Sequence, residues 1–285
     1  MKISIICPLY KGEEYIEKLH KNINAQENVD ICSIKYILTE SKDKSEEILK
    51  RLNCDYKKIK PEEFSHSKTR EDEAMVAPGE ILVFITQDII IKNNLWLYNL
   101  VKHIEDGSCE AAFSKQICDN NSLEKYVREK NYEQQSRLVS KESINKLGFR
   151  TFFFSDASSA IKKDIFVKLN GYDNKIMPTN EDMYIAYKLI TNGYRIRYCS
   201  ESEVIHSHTF TLKQLYKRYY DTGIFLKQND YLLKYKANKT GMGLLGYVLK
   251  RAIEEKNFKV LINVIPNFTA RYLGNFFGKR SVKNR

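Results

Sequence analysis

Cysteine motifs, glycine-rich phosphate loops and long apolar runs are all missing from this 285-residue chain. Its six cysteines (Cys7, Cys32, Cys54, Cys109, Cys118 and Cys199) are scattered, with no C-x-x-C pair, which argues against a zinc site or a disulfide framework. No GxxxxGK[ST] and no GxGxxG sequence is present, so the ATPase and dinucleotide classes lose their main support. No window is apolar over the ~20 residues that a spanning helix needs, and the chain enters a strand-like run at once, without a signal peptide. These absences point to an intracellular location. Acidic residues are scarce too, but only at one end. From Met1 to His206 there are 31 Lys and Arg against 32 Asp and Glu, whereas Ser207 to Arg285 carries 16 against 4.

A hydrophobic fraction of 42% with 29% charged residues is ordinary for a folded globular chain, so one elaborated domain, or one domain plus a helical annex, is expected. The basic C-terminal part calls for an anionic partner, a membrane surface or a nucleic acid. Apolar blocks alternate with Lys and Arg from Leu244 to Phe277, as in interfacial helices, which favours the membrane surface and leaves no nucleic acid expected.

Strand-like runs at Ile3–Cys7, Ile34–Thr39, near Tyr56–Ile59 and at Ile81–Thr86 alternate with helical stretches at Glu13–Gln26, Lys44–Leu52 and Ser67–Val76. That alternation predicts a parallel sheet with right-handed crossovers, whose ligands bind beyond the carboxyl ends of the strands. Three polar groups fall there: Pro8-Leu9-Tyr10, Glu40 to Asp43, and Gln87-Asp88. Further on, the pattern predicts a strand at Glu110–Ile117 and a mostly helical insertion from Asp119 to Phe149. A helix at Glu181–Thr191 and two short strands, Tyr194–Cys199 and Glu203–His206, follow. Beyond His208 helices take over.

Four constellations could carry chemistry. Asp88 ends an apolar strand, where a carboxylate serves either as a turn cap or as a ligand for a hard divalent ion. Glu181-Asp182 opens a helix after Asn180; helix capping accounts for the composition, and a general base for an acceptor hydroxyl is the functional alternative. His206 and His208 lie at i, i+2, on one face of a strand, and suit a transition metal such as manganese as well as a plain surface role. Lys68 and Arg70 could meet phosphate oxygens or simply solvate a helix start.

Taken in order these pieces resemble family two glycosyltransferases of the GT-A fold. Ile5 to Tyr10 is similar to that family's first strand and Pro-x-Tyr turn, Glu40 to its acidic residue facing the base, and Arg70 to the arginine before its metal-binding strand. Asp88 is similar to the last acid of its metal motif. Glu63 to Arg70, Ile85 to Asp88, Phe154 to Ile161, Glu181-Asp182 and Val204 to His208 further resemble bacterial rhamnosyltransferases of cell-surface polysaccharide synthesis. The sequence departs from the family where the usual Asp-x-Asp is reduced to Gln87-Asp88, where Glu40 replaces Asp, and where Glu71 replaces Asn.

The resemblance implies an α/β, Rossmann-like, mostly parallel sheet flanked by helices over residues 1–210, with a basic amphipathic helical extension over 211–285. It implies an inverting transfer of rhamnose or another hexose from a nucleotide-sugar (thymidine diphosphate rhamnose first) to a glycan or lipid-linked glycan. Asp182 would be the base, with Glu181 its alternative or partner. Asp88 with His206 or His208 would hold Mn2+ or Mg2+. Pro8, Tyr10, Glu40, Lys68, Arg70, Gln87, Asp88 and Asp156 would bind substrate. The expected place is the cytoplasm, peripheral to the inner face of the plasma membrane. The rivals are a nucleotidyltransferase, and a non-catalytic module that binds polyanions through the basic tail.

Overall fold

The computed structural model describes residues 1–235 and 240–282. Nine strands form one sheet among the described residues: β1 (Lys2–Leu9), β2 (Asp30–Thr39), β3 (Asp55–Ile59), β4 (Ile81–Ile85), β5 (Ile90–Ile91), β6 (Ala111–Ile117), β7 (Arg137–Val139), β8 (Ser158–Lys162) and β9 (Ile196–Ile205). Their spatial order is β3-β2-β1-β4-β8-β6-β9-β5, with β7 also on β9.

The first half is parallel, as the alternation predicts: β3, β2, β1 and β4 run side by side in one direction. The second half is not. β8 lies antiparallel to both β4 and β6, and β9 is parallel to β6 but antiparallel to β5 and β7. The sheet is therefore mixed rather than mostly parallel. The cause lies between Asp119 and Phe149. That segment holds one longer helix, the strand β7 and short turns instead of a regular crossover helix, so the strands around it can pair in either sense.

The helices are α1 (Ile16–Asn24), α2 (Ser45–Arg51), α3 (His66–Val76), α4 (Trp96–Glu105), α5 (Leu123–Asn131), α6 (Ile144–Leu147), α7 (Lys163–Lys168), α8 (Glu181–Thr191), α9 (Leu212–Gln228), α10 (Thr240–Glu254) and α11 (Phe258–Ser281). On one face of the sheet α1 and α4 bury Ile16, Leu19 and Ile23, and Trp96, Leu97, Leu100, Val101 and Ile104. Those are the i, i+3, i+4, i+7 spacings of an amphipathic helix. The other face is covered by α3 and α8 over Ile6, Phe84, Phe166 and Tyr172. Every residue of β4 is buried, as a central strand covered on both faces must be.

Two local expectations change. β1 runs through Pro8 to Leu9, because its pairing with β4 ends at Ile6 and Pro8 has no donor to lose on that side. The two short strands after Tyr194 are one strand. An irregularity in the β6–β9 register, where Ser114 faces Cys199 but Lys115 faces Glu203, absorbs the polar residues that break the pattern.

Helix α9 is the hub of the C-terminal segment. Its N-terminus is closed by a capping box, Thr211 with Gln214. It then lies against α11 with almost no side chain between the backbones. A Cβ on Gly223 would come 2.4 Å from the Asn275 oxygen, one on Gly274 2.4 Å from the Tyr216 oxygen, and one on Gly278 2.0 Å from the Tyr220 oxygen. No helix among the described residues is long and apolar enough to cross a membrane.

Candidate functional site

A cavity of about 490 Å3 opens beyond the carboxyl ends of β1 and β4. Its walls include Pro8, Tyr10, Gln87 and Asp88 from those strand ends, Arg70 from α3, Glu181 and Asp182 from the start of α8, and His206 and His208 from the end of β9. Sheet pairing explains the meeting of Asp88 with the histidines. Ile90 pairs with Ile205 and Ile91 with Val204, antiparallel, so the residues before Ile90 come level with those after Ile205.

The result is a compact ligand set. His206 Nε2 lies 3.5 Å from Asp88 Oδ1, and His208 Nδ1 lies 3.9 Å from Asp88 Oδ2. One ligand atom from each of the three falls within 4.8 Å of the others. A second cavity, about 370 Å3, shares Asp88 and His208, so the cluster stands where two cavities meet.

The protonation pattern suits a cation. His206 Nδ1 is 2.8 Å from Gln116 Oε1 and 3.2 Å from an Arg128 guanidinium nitrogen. Arg128 can only donate, and it also contacts Gln116 Oε1, which fixes that atom as the amide oxygen. The shorter contact then places the His206 proton on Nδ1. A neutral imidazole has one N–H, so Nε2 turns a lone pair toward the Asp88 carboxylate. Burial keeps His206 neutral by lowering its proton affinity, and burial with the neighbouring His206 lowers His208 to about 4. Burial alone would raise Asp88, but in acid, where the histidines become protonated, hydrogen bonding from His206 and the charge of both outweigh it, so the carboxyl stays ionised well below its usual range. One anion and two neutral imidazoles, oriented from behind by Gln116, fit a divalent ion such as Mn2+.

A carboxylate cluster lies across the cavity. Arg70, 2% exposed, donates to Glu181 Oε1 at 3.0 Å and to the His66 carbonyl at 3.0 Å. Asp156 is equally buried; Ser159 donates to its Oδ1 at 2.7 Å and Tyr172 to its Oδ2 at 2.6 Å. Asp182 has no cation of its own among the described residues, and its Oδ1 accepts from the Met183 N–H at 2.7 Å. Burial first, then the charges of Glu181 and Asp156, push the Asp182 carboxyl well above its ordinary value. Burial also raises Asp156, against the pull of Arg70.

The loop before α8 is positioned from α3. Ser67 Oγ donates to the Lys175 carbonyl and accepts from the Met177 N–H, while Glu71 accepts from the Asn174 N–H at 3.0 Å. Gly171, at φ +43°, sits so close that a Cβ would lie 2.6 Å from Glu71 Oε1. The Glu at position 71 thus has a physical task, cradling the turn that delivers Asn180 in a left-handed conformation (φ 63°) and the acids behind it.

Several expected substrate contacts look different in place. Arg70 lines the cavity, and its Nη1 is held by Glu181 and the His66 carbonyl. Gln87 is pinned to Tyr10, accepting from its N–H and donating to its carbonyl, both at 2.8 Å. Asp156 has both oxygens taken by Ser159 and Tyr172. Lys68 is outside the cavity walls and pairs with Asp72 one turn along α3. Glu40 lines a separate hollow of about 270 Å3 with Asp43 and Lys58. Three wall residues carried no signal in the sequence: Gln116, and the cations Arg128 and Arg218. Neither arginine has a carboxylate partner among the described residues.

The family profile of glycosyl transferase family 2 matches residues 4–169, more than half of the chain. The O-antigen chain rhamnosyltransferase RfbN of Salmonella typhimurium is 33% identical over 233 residues, covering 79% of this chain and 72% of that protein. WbaN, an O-antigen chain rhamnosyltransferase of Salmonella anatum, is 32% identical, covering 78% and 71%. Among solved structures, the mannosyltransferase PcManGT from Pyrobaculum calidifontis, in complex with GDP-Man and Mn2+, superposes with a TM-score of 0.61 at 14% identity, over 98% of this chain and 86% of that one. The fold is that of the GT-A glycosyltransferases.

Proposed function

Because the chain belongs to glycosyl transferase family 2, and is thus a glycosyltransferase that uses a nucleotide-sugar, we propose that it moves rhamnose or another hexose onto a glycan or lipid-linked glycan with inversion. What carries the site assignment is the Asp88, His206 and His208 cluster, in which a carboxylate and an imidazole lone pair face each other 3.5 Å apart. Such a pair needs a cation between its members. A divalent ion bound there would offset charge on the donor's diphosphate and stabilise it as a leaving group.

The chain's own residues supply the rest. Arg128 and Arg218, free of carboxylate partners, offer donors to phosphate oxygens near the metal ligands. Asp182 takes the proton of the acceptor hydroxyl as that oxygen attacks the anomeric carbon; its raised proton affinity suits a base working near neutral pH. Glu181, tied to Arg70, is a positioning residue that keeps the start of α8 in place. Asp156 contributes negative charge from beneath the cavity floor and keeps Asp182 basic. Pro8 and Tyr10 form the wall against which the donor lies. Thymidine diphosphate rhamnose is the first donor, in line with the names of the two Salmonella relatives. The enzyme works at the inner face of the plasma membrane, its basic extension toward anionic lipid.

A screen of nucleotide-sugars for donor hydrolysis, with and without Mn2+, tests this. Metal-dependent turnover of one donor, abolished in Asp182→Asn with donor binding kept, is the expected result. Turnover that survives Asp182→Asn removes Asp182 from the base role.

A further inference from the structure

Helix α11 carries apolar side chains on both its buried and its exposed face. Residues Val260, Val264, Asn267, Arg271, Gly274 and Gly278 face inward and are buried. Two of those are strongly polar, and Arg271 is ion-paired inside with Glu124 and donates a hydrogen bond to the Tyr219 hydroxyl. On the opposite side Phe258 is 70% exposed, Ile262 77%, Ile265 73% and Tyr272 67%, with Leu273 beside them. At 100° per residue these five fall within an arc of about 100° and run along most of a helix roughly 36 Å long. Ile253, at the end of α10, is exposed as well.

Ordinary amphipathic helices bury their apolar stripe, because exposing it forfeits the transfer of that surface out of water. Here the glycine contacts with α9 fix which face turns inward, leaving a row of large apolar side chains that nothing in the chain covers among the described residues. A contiguous apolar patch of this kind marks a surface with a partner.

We infer that the outward stripe of α11 lies in the headgroup–acyl boundary of an anionic lipid bilayer. Charge selects this occupant. Besides the buried, Glu124-paired Arg271, the helix from Phe258 to Ser281 carries the cations Lys259, Lys279 and Arg280 and no Asp or Glu at all. Arg280 lies over the Phe276 ring, 4.1 Å from its centroid, so a cation accompanies the aromatic end of the stripe. An apolar stripe with flanking cations and no anions is what an interfacial helix needs. The inference deepens the membrane part of the function proposed above. It stands independently of which sugar is moved, and it would present a lipid-linked acceptor along one side of the enzyme.

The test is flotation of the full chain with vesicles of phosphatidylglycerol and phosphatidylcholine, and with phosphatidylcholine alone. The wild type floats with the anionic vesicles, less so at 1 M salt, where the screening length falls to about 3 Å. The double change Ile262→Glu and Ile265→Glu lowers the bound fraction more than about tenfold, since each buried isoleucine is replaced by a charge. Both positions are solvent-facing, so the thermal melt and the hydrolysis of the donor stay as in the wild type. A second readout uses Phe258→Trp: Trp96 is fully buried, so a blue shift on adding vesicles reports the new residue alone. Absence of flotation and of the blue shift at low salt overturns the inference. So does a stable dimer in light scattering that the double change dissociates, which would make a second copy of the chain the occupant. Loss of transferase activity in the wild type would strike the proposed function and leave the flotation result standing.

Discussion

Replacing Arg70 by Met tests the carboxylate cluster most sharply. Arg70 and Glu181 are ion-paired at 3.0 Å with side chains only 2% and 10% exposed, and Asp156 and Asp182 act on the same guanidinium. Met fills similar volume but leaves three acids with no cation. Removing one partner of a buried pair costs about 3–5 kcal/mol, because the surviving charge keeps its desolvation penalty. The pH dependence has a definite sign. Asp156 and Asp182 already have folded-state affinities for protons above their ordinary values, so their stabilising protonation is present in acid and lost as pH rises. Without Arg70 both move further up. The penalty is therefore largest at pH 8 and shrinks toward pH 5, where the acids take up protons. Urea unfolding of wild type and Arg70→Met at the two pH values reads this directly, as a midpoint shift of roughly 1 M or more at pH 8 and a smaller one at pH 5. A shift that is negligible at pH 8, or equal at both, refutes the idea that Arg70 is the counter-ion of the cluster.

Other consequences follow from single contacts. Gln116→Leu removes the acceptor that fixes the His206 tautomer, and weakens Mn2+ binding about 10–100-fold in a calorimetric titration; unchanged affinity would show that Gln116 does not orient the ligand. Because burial lowers His206, and lowers His208 to about 4, protons compete with metal only in acid. Mn2+ affinity should thus be nearly equal at pH 8 and pH 6, and a large loss at pH 6 would contradict the lowered values. Gly278→Ala forces α9 and α11 apart, since its Cβ would stand 2.0 Å from the Tyr220 oxygen. A cost of about 1–3 kcal/mol is expected, visible as a lower thermal midpoint; an unchanged melt would mean that the helix contact is looser than described.

The parallel half of the sheet was legible because its signals are local: β-branched runs such as Ile81–Ile85, each ending in polar residues on the ligand side. Asp88, Glu181, Asp182, His206 and His208 stood out for the same reason, as polar groups at element ends. Gln116 and Arg128 did not, because the pairing of β6 with β9 brings Gln116 behind His206, and Arg128 reaches the same place from α5. Arg128 by itself reads as a solvated helix charge, and Arg218 as the polar side of α9. Lys68 and Arg70 look alike in sequence, yet one is surface-paired and the other buried, a difference set by the phase of α3 against the sheet. The apolar content of α11 was visible as blocks set between Lys and Arg. Which of its residues face outward was not, since only the glycine packing against α9 says which way the helix turns.

The claim on which the rest depends is that Asp88, His206 and His208 together bind one divalent ion at the donor site. Electron paramagnetic resonance of Mn2+ titrated into the full chain, with a nucleoside diphosphate-sugar present, measures it without relying on turnover. One tightly bound ion per chain is expected in the wild type, with that binding lost in Asp88→Asn and in the double change His206→Ala and His208→Ala. Tight binding of one ion that persists unchanged in both variants would contradict it.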